Sequence, residues 1–428
     1  MLNFQFSLFH DLYQIISSSK FHQKYFHIFD SLDLSDFPER KIFCGRKGYS
    51  KHSILKALIV KHIESINSIP ALIRFLDSHP VLSEMCGFYN MKLPDSSVFY
   101  RFLSNTKNHL LKSIHFKINQ ELIDKKIICK DYFIIDSKPI LAPTKENNIK
   151  NPNRKKSKNI KPKRNKDATF SYLCYEKLAN NKRKTFFFWG YRTHVIITKE
   201  GIPILEETFP NNISDHKVAK KLFKRLKRLY KFKKGSIFVA DSGYDVKDIY
   251  DLIINKYKSK AFIPINRRGT KEPKILSKNG IPLCDAHIEM KSNGYHIEPK
   301  RTRIKYRCPL KHNKKIARKF PNGCPVQHEK FTKGKQYGCT KYIDITNDAR
   351  SSVIRDTDYY KKIYSTRQYV EQYFARLSNR EFEQVSNYSF KVIRNHLTIS
   401  HLSMSLIALA AVSMGRTNKI RCYKTFAA

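Results

Sequence analysis

The chain has 428 residues, with 82 Lys and Arg against 36 Asp and Glu, a net charge of +46. So large an excess repels itself in a folded state and points to a polyanionic partner, nucleic acid first and an anionic membrane surface second. A hydrophobic share of 41% and an aromatic share of 13% allow a sizeable core, which excludes a wholly disordered basic tail.

At this length two or three domains are expected. Met1 to Lys20 lacks the basic, apolar and small-residue succession of a signal peptide. The most apolar stretch, Leu402 to Met414, is shorter than the roughly 20 residues a membrane span needs, and it reads as a buried C-terminal helix. Nine cysteines, an odd number, suit reduced thiols in a cytosol.

Residues 1 to about 120 read as helices. Ser53 to Ile63 has apolar residues at helical spacing. Pro70 stands in the first turn of a second helix, and Asp95 caps a third. Short helices with basic faces suit a helix-turn-helix-like module, or a plain helical bundle. At Lys130 the pattern changes. Tyr132 to Asp136 is an apolar run closed by an acid, read as a buried strand. Lys150 to Lys166 holds nine basic residues and no acid, a loop placed to meet phosphate or simply to be solvated.

Phe186–Thr198 and Ile202–Phe209 read as strands joined by a Lys-Glu-Gly turn. A basic amphipathic helix runs from Ser214 to about Tyr230. Gly235 to Asp241 is a second apolar strand ending in Asp, followed by a helix from Val246 to Tyr257 and a short strand from Lys260. This alternation indicates an α/β layer with a central sheet. From Arg267 to about Arg355 the chain is Gly-, Cys- and Lys-rich with β-prone pieces, an inserted subdomain. Helices at Asp356 to about Arg380 and Val392 to Met414 complete it.

The chemistry lies in acids at strand ends. Asp136 and Asp241 each follow a buried strand, where ligand sites gather in open α/β sheets. Two such carboxylates repel unless a divalent cation lies between them, and hard oxygen ligands suit Mg²⁺ or Mn²⁺. A third acid on a packed helix would complete a two-metal site. Glu371 is the candidate, because Tyr364, Arg367 and Glu371 are three and four apart on one helical stripe. Arg367 can hold a phosphate in a bidentate contact and Tyr364 can pack on sugar or base. The plainer reading is an exposed helix with a local Arg–Glu pair.

These residues carry a family resemblance. Ile134-Ile-Asp136-Ser, Ala240-Asp241-Ser-Gly-Tyr-Asp245 and Tyr364-x2-Arg367-x3-Glu371 resemble the DDE transposases of bacterial insertion sequences. Gly190-Tyr-Arg-Thr-His194 and Pro210-Asn-Asn-Ile-Ser-Asp215 are similar to the segments between the two Asp strands of that family. Gly45-Arg-Lys-Gly-Tyr49 and Pro94 to Phe102 resemble its N-terminal module. The resemblance implies an RNase H-like mixed sheet flanked by helices, with an N-terminal helical domain and a β-rich insertion.

The expected boundaries are 1–125 for the DNA-binding helices, 126–266 for the first part of the catalytic domain, 267–355 for the insertion and 356–428 for the closing helices. The resemblance further implies that Asp136, Asp241 and Glu371 hold two Mg²⁺ or Mn²⁺ ions for end cleavage and strand transfer. Where the family continues to a Lys, this chain has Ser378, with Arg376 and Arg380 beside it. Those two, with Tyr364, Arg367, Lys155, Lys156, Lys163 and Arg164, are the expected DNA contacts. The partners implied are transposon ends, target DNA and a second copy in a synaptic complex. No membrane partner is expected, and the place of action is the bacterial cytoplasm at the nucleoid.

Other residues have ordinary readings. Asp215 and Asp245 are expected to cap helices, and His194 to be a hydrogen-bonded His near the first Asp strand. Trp189 is assigned to the core with Phe186, Phe187 and Phe188. Cys284, Cys308, Cys324 and Cys339 could bind a structural Zn²⁺. They lack any Cys-x2-Cys knuckle, so scattered buried thiols are the preferred reading. Two further functions stay open: an RNase H-like nuclease or inactive DNA-binding relative, and an RNA-associated structural protein driven by charge alone.

Overall fold

In the computed structural model the described residues are 14–39, 48–89, 92–148, 161–176, 183–266, 276–277, 279–333, 337–377, 382, 385–387 and 389–422. In chain order the main elements begin with six helices, α1 (Lys20–Asp30), α2 (Lys51–Ile63), α3 (Ile69–Asp77), α4 (Pro80–Cys86), α5 (Ser96–Asn105) and α6 (Asn108–Asp124). Strands β1 (Tyr132–Leu141), β2 (Thr169–Glu176), β3 (Arg183–Thr198) and β4 (Pro203–Pro210) follow, then α7 (Asp215–Tyr230) and β5 (Ile237–Val239). Next come α8 (Lys247–Tyr250), prolonged by a π-helical stretch Asp251–Lys256, and β6 (Lys260–Phe262). Strands β7 (Lys291–Glu298), β8 (Arg301–Arg307) and β9 (Thr340–Asp344) precede α9 (Asp358–Tyr364), α10 (Gln368–Leu377) and α11 (Phe390–Ser413).

Contacts divide the chain into two units. One comprises residues 1–130, 137–214 and 371–428; the other comprises 131–136 and 215–370.

In the first unit local caps set the helix starts. Ser50 Oγ accepts from the N–H groups of His52 and Ser53, Ser68 Oγ accepts from Ala71 N–H with Pro70 in the first turn, and Asp95 accepts from Ser97 N–H at 2.8 Å. Helices α1 to α6 share one apolar core with α11. Helix α11 is long and apolar enough to cross a membrane, yet most of it is packed inside the fold. It is buried all round, so its polar side chains need internal partners. Asn395 Nδ2 donates to the carbonyls of Leu103 and Thr106, and Thr398 Oγ1 donates to Glu206 at 2.8 Å. Lys112 and Arg394 bind the buried Glu207 from opposite helices.

Strands β2, β3 and β4 form an antiparallel meander, with Phe170 opposite Trp189 and His194 opposite Glu207. The sequence reading placed no strand at β2. Trp189 and Phe188 are buried as expected, but Phe187 points outward and stacks on Phe170. Period-two alternation separates neighbours that composition had grouped together.

Gly190 lies where a Cβ would come 2.2 Å from the Ile140 carbonyl oxygen. A backbone oxygen cannot step aside. Gly190→Ala is expected to cost about 1–3 kcal/mol, seen as a lower denaturation midpoint. An unchanged midpoint would refute this close packing.

In the second unit the start of β1, β5 and β6 are parallel neighbours. Tyr132, Phe133 and Ile134 pair with Ile237, Phe238 and Val239, which pair with Lys260, Ala261 and Phe262. Phe133, Phe223, Phe232 and Phe238 pack as edge-on and tilted rings beneath this sheet. The insertion forms its own antiparallel sheet, β7-β8-β9, over a small separate core. One departure concerns 356–380, read as a single helix. It is broken into α9, a 3₁₀ turn Ser365–Arg367 and α10.

Candidate active site

Asp136 does not close its strand, because β1 continues to Leu141. What ends near it is the parallel pairing with β5, whose last partners are Ile134 and Val239. Carried two residues further, that register sets Asp136 opposite Asp241 on strands ~4.8 Å apart. Asp241 keeps extended backbone (φ −78°, ψ 177°) and then starts a 3₁₀ turn. Both acids are half-buried. Alternation puts Ile134 and Asp136 on one face, as it does Val239 and Asp241.

The turn after Asp241 is built around its carboxylate. Asp241 Oδ1 accepts from Gly243 N–H at 2.8 Å, and a Cβ on Gly243 would come within 3.0 Å of that oxygen. Glycine therefore lets the backbone close on the acid. Asp245, four residues on, is not a helix cap. It is buried and takes the Arg350 guanidinium in two contacts, at 2.7 and 2.6 Å, with Tyr250 O–H and Asn266 N–H donating too. Burial alone would raise this carboxyl; the Arg350 guanidinium and the two other donors outweigh it and hold the group below its ordinary value. Arg355 completes the lock by donating to Ile263 carbonyl and Tyr250 Oη. Nothing local in the sequence marked Arg350.

The Arg367 segment docks on β1. Tyr132 and Asp136, four apart on one strand face, meet consecutive residues of the 3₁₀ turn. Tyr132 Oη lies 2.7 Å from Thr366 Oγ1, and Arg367 Nη2 donates to Asp136 Oδ2 at 3.1 Å. Tyr364, expected on DNA, is half-buried and stacks on Tyr360 with ring planes 12° apart. Glu371 stands exposed in the first turn of α10. Among the described residues no three His, Cys, Asp or Glu side chains form a finished metal-coordinating group. The structure thus binds Arg367 to Asp136, and Asp241 follows two residues after the last residue of β5 that pairs with β1. The donor chemistry nevertheless fits a hard divalent cation: one carboxylate within β1 and one just after the neighbouring strand β5, with a guanidinium offsetting the first.

The remaining expected contacts divide. Lys163 and Arg164 are exposed ahead of β2. Arg376 is directed elsewhere, donating to the carbonyls of Gly201 and Arg421. Lys155, Lys156, Ser378 and Arg380 lie outside the described residues, as do Gly45 to Lys47. Arg192, in the Gly190–His194 segment, links Asn211 at 2.9 Å with Ser137, the residue after Asp136. His194 is fully buried, with neither ring nitrogen hydrogen-bonded, which corrects the expectation of a satisfied His. Burial, with Arg192 adding to it, pushes its pKa down to about 3, so it is neutral. Asp215 is the first residue inside α7, where its charge favours the helix N-terminus.

Comparison with known proteins adds the family. Residues 128–407 match the model described as "Transposase DDE domain", and residues 10–105 match "Transposase domain (DUF772)". No curated protein matches the chain. One solved structure, "Cryo-EM structure of piggyBac transposase synaptic complex with hairpin DNA (SNHP)", is similar at a TM-score of 0.38 and 10% identity. The match covers 97% of this chain and 78% of that one. A likeness so distant supports nothing further. The first family match spans well over half of the chain and includes Asp136, Asp241 and Glu371, and on that ground this protein belongs to the DDE transposases, enzymes that cut DNA and join the cut end to new DNA.

Proposed function

We propose that Asp136, Asp241 and Glu371 are the catalytic carboxylates of this transposase and hold two Mg²⁺ or Mn²⁺ ions. The observation that supports the reading is the parallel pairing of Ile134 with Val239, two residues before Asp136 and Asp241 respectively, with Arg367 bound to Asp136. DDE transposases in general use divalent metal ions. Such ions supply Lewis acidity at the scissile phosphate and favour both the attacking and the leaving oxygen of an in-line displacement.

The chain's own groups position the reaction. Gly243 N–H and the Asp245–Arg350 lock fix the Asp241 turn. Arg367 orients Asp136 and offsets its charge, and its guanidinium would also suit a DNA phosphate. In cleavage a water oxygen bonds to phosphorus and the 3′-oxygen leaves as a hydroxyl. In strand transfer that hydroxyl attacks a target phosphodiester, so one ester bond replaces another. Joining needs paired ends, so the working form is a homodimer on DNA, acting at the nucleoid in the cytoplasm and without a membrane partner.

A strand-transfer assay tests this, using oligonucleotides with the inverted repeats that flank the gene, a target plasmid and Mg²⁺. Joined product is expected. Hydrolysis without joining indicates a nuclease, and binding without either reaction an inactive relative; each overturns the proposal. Lys163, Arg164 and the basic loop before them are expected to bind phosphates. End-DNA affinity should therefore fall by about 10³–10⁵ between ~50 and ~200 mM salt, measured by fluorescence anisotropy. A salt-independent affinity would contradict phosphate neutralisation as its source.

A further inference from the structure

The insertion carries a second feature, which the transposition chemistry does not use. Its core is small: Cys284, Met290, Ile304, Tyr306, Cys308, Leu310 and Cys339 are the buried residues. Three of these are cysteines, and their thiols meet. Cys339 lies within hydrogen-bonding reach of both Cys284 and Cys308, although 30 or more residues separate it from each in the chain.

The backbone around the sulfurs is shaped for them. After Cys284 a tight turn forms, with His287 N–H donating to the Cys284 carbonyl and His287 at φ 55°. That turn aims the N–H groups of Ala286 and Ile288 at the Cys284 sulfur. A one-turn helix, Pro309–His312, starts at Cys308, and the N–H groups of Leu310, Lys311 and Cys339 approach the Cys308 sulfur. Gly338, at φ +79°, lies so close to Cys308 that a Cβ would meet its Sγ at 2.9 Å. A thiol packed for its bulk alone has no need of amides from several turns. Amides aimed at sulfur are what a metal-bound thiolate requires.

Cys324 supplies the fourth sulfur. It is half-buried against the same core and follows Gly323 (φ +80°), as Cys339 follows Gly338. We propose that Cys284, Cys308, Cys324 and Cys339 bind one structural Zn²⁺ that holds the insertion sheet together. Cys339 bridges Cys284 and Cys308, and because the four sulfurs do not already form a finished metal set, coordination draws them together into a tetrahedral one. The missing Cys-x2-Cys spacing is no obstacle, because each ligand comes from its own turn. A core of this size is also one that a metal commonly reinforces.

The test uses the full-length protein, purified without chelator and under reducing conditions. About one equivalent of zinc per chain is expected by elemental analysis. Replacement by Co²⁺ should give thiolate-to-cobalt charge-transfer absorption and the intense d–d bands of a tetrahedral site. Cys339→Ser and Cys324→Ser should lose or sharply weaken both, whereas Cys129→Ser and Cys422→Ser, at exposed positions, should leave them unchanged. A wild-type chain free of zinc, whose cobalt form shows no thiolate band, overturns the proposal without relying on any variant's folding. A disulfide among these cysteines, found by mass analysis of the freshly purified chain, overturns it too. So does a full four-thiolate spectrum in Cys324→Ser. The DNA-joining reading stands or falls separately, since none of these readouts involves DNA.

Discussion

Asp136→Asn and Asp241→Asn each lower the rate of end cleavage and of strand transfer by about 10³-fold or more, while end DNA is still bound. The substitution keeps shape and hydrogen-bond acceptors. Asn at 241 can still receive Gly243 N–H through its carbonyl oxygen, and Asn at 136 can still meet Arg367. Only the negative charge is lost. A metal clamp contributes several kcal/mol at the transition state, and each 1.36 kcal/mol is tenfold in rate. Gel assays of cleavage and joining, run beside anisotropy measurements of binding, separate the two effects. Joining at the wild-type rate by either variant would falsify the assignment of the acid it replaces. The rival reading as a charge-driven RNA-associated protein predicts that function needs none of the three acids.

Asp245→Ala is expected to destabilise the fold by about 3–5 kcal/mol, because it leaves the Arg350 guanidinium without its carboxylate partner. Arg350→Ala strands a fully buried carboxylate and belongs to the same range; the double variant should cost less than the sum. The pair also predicts a pH dependence. The Asp245 carboxyl is held below its ordinary value in the folded chain. Its contribution is fully present above the unfolded value of about 3.9 and is lost as pH falls through the lower folded value. Urea melts at successive pH values should show the gap between wild type and Asp245→Asn closing below about pH 4. A gap that widens in acid would contradict the ion pair. Because this lock anchors the turn that carries Asp241, Asp245 is a positioning residue. Partial recovery of joining by Asp245→Glu would separate that role from mere loss of folding.

Much of this arrangement was legible along the chain. The run Tyr132 to Ile135 is apolar without a break, as a strand buried on both faces must be, and β5 reads the same way. Caps at Ser68 and Asp95 act within three residues, so sequence shows them directly. Features set by distant partners were misread. Asp245 resembles a cap because its local setting is a helix start, but Arg350 lies 105 residues away. The helix expected through Arg380 breaks at Ser365–Arg367, where Thr366 and Arg367 are held by Tyr132 and Asp136. Helical periodicity cannot register that docking. Spacing along the segment does not show that Cys339 comes near Cys284 and Cys308, because they lie 55 and 31 residues before it.

Binding of Mn²⁺ to the complex with end DNA, followed by electron paramagnetic resonance, addresses the three carboxylates without relying on turnover. The wild-type complex should take up two ions, and Asp136→Asn, Asp241→Asn and Glu371→Gln should each lose at least one, with DNA still bound. If the triple variant binds Mn²⁺ as the wild type does, these acids do not hold the metal, and the proposed active site is wrong.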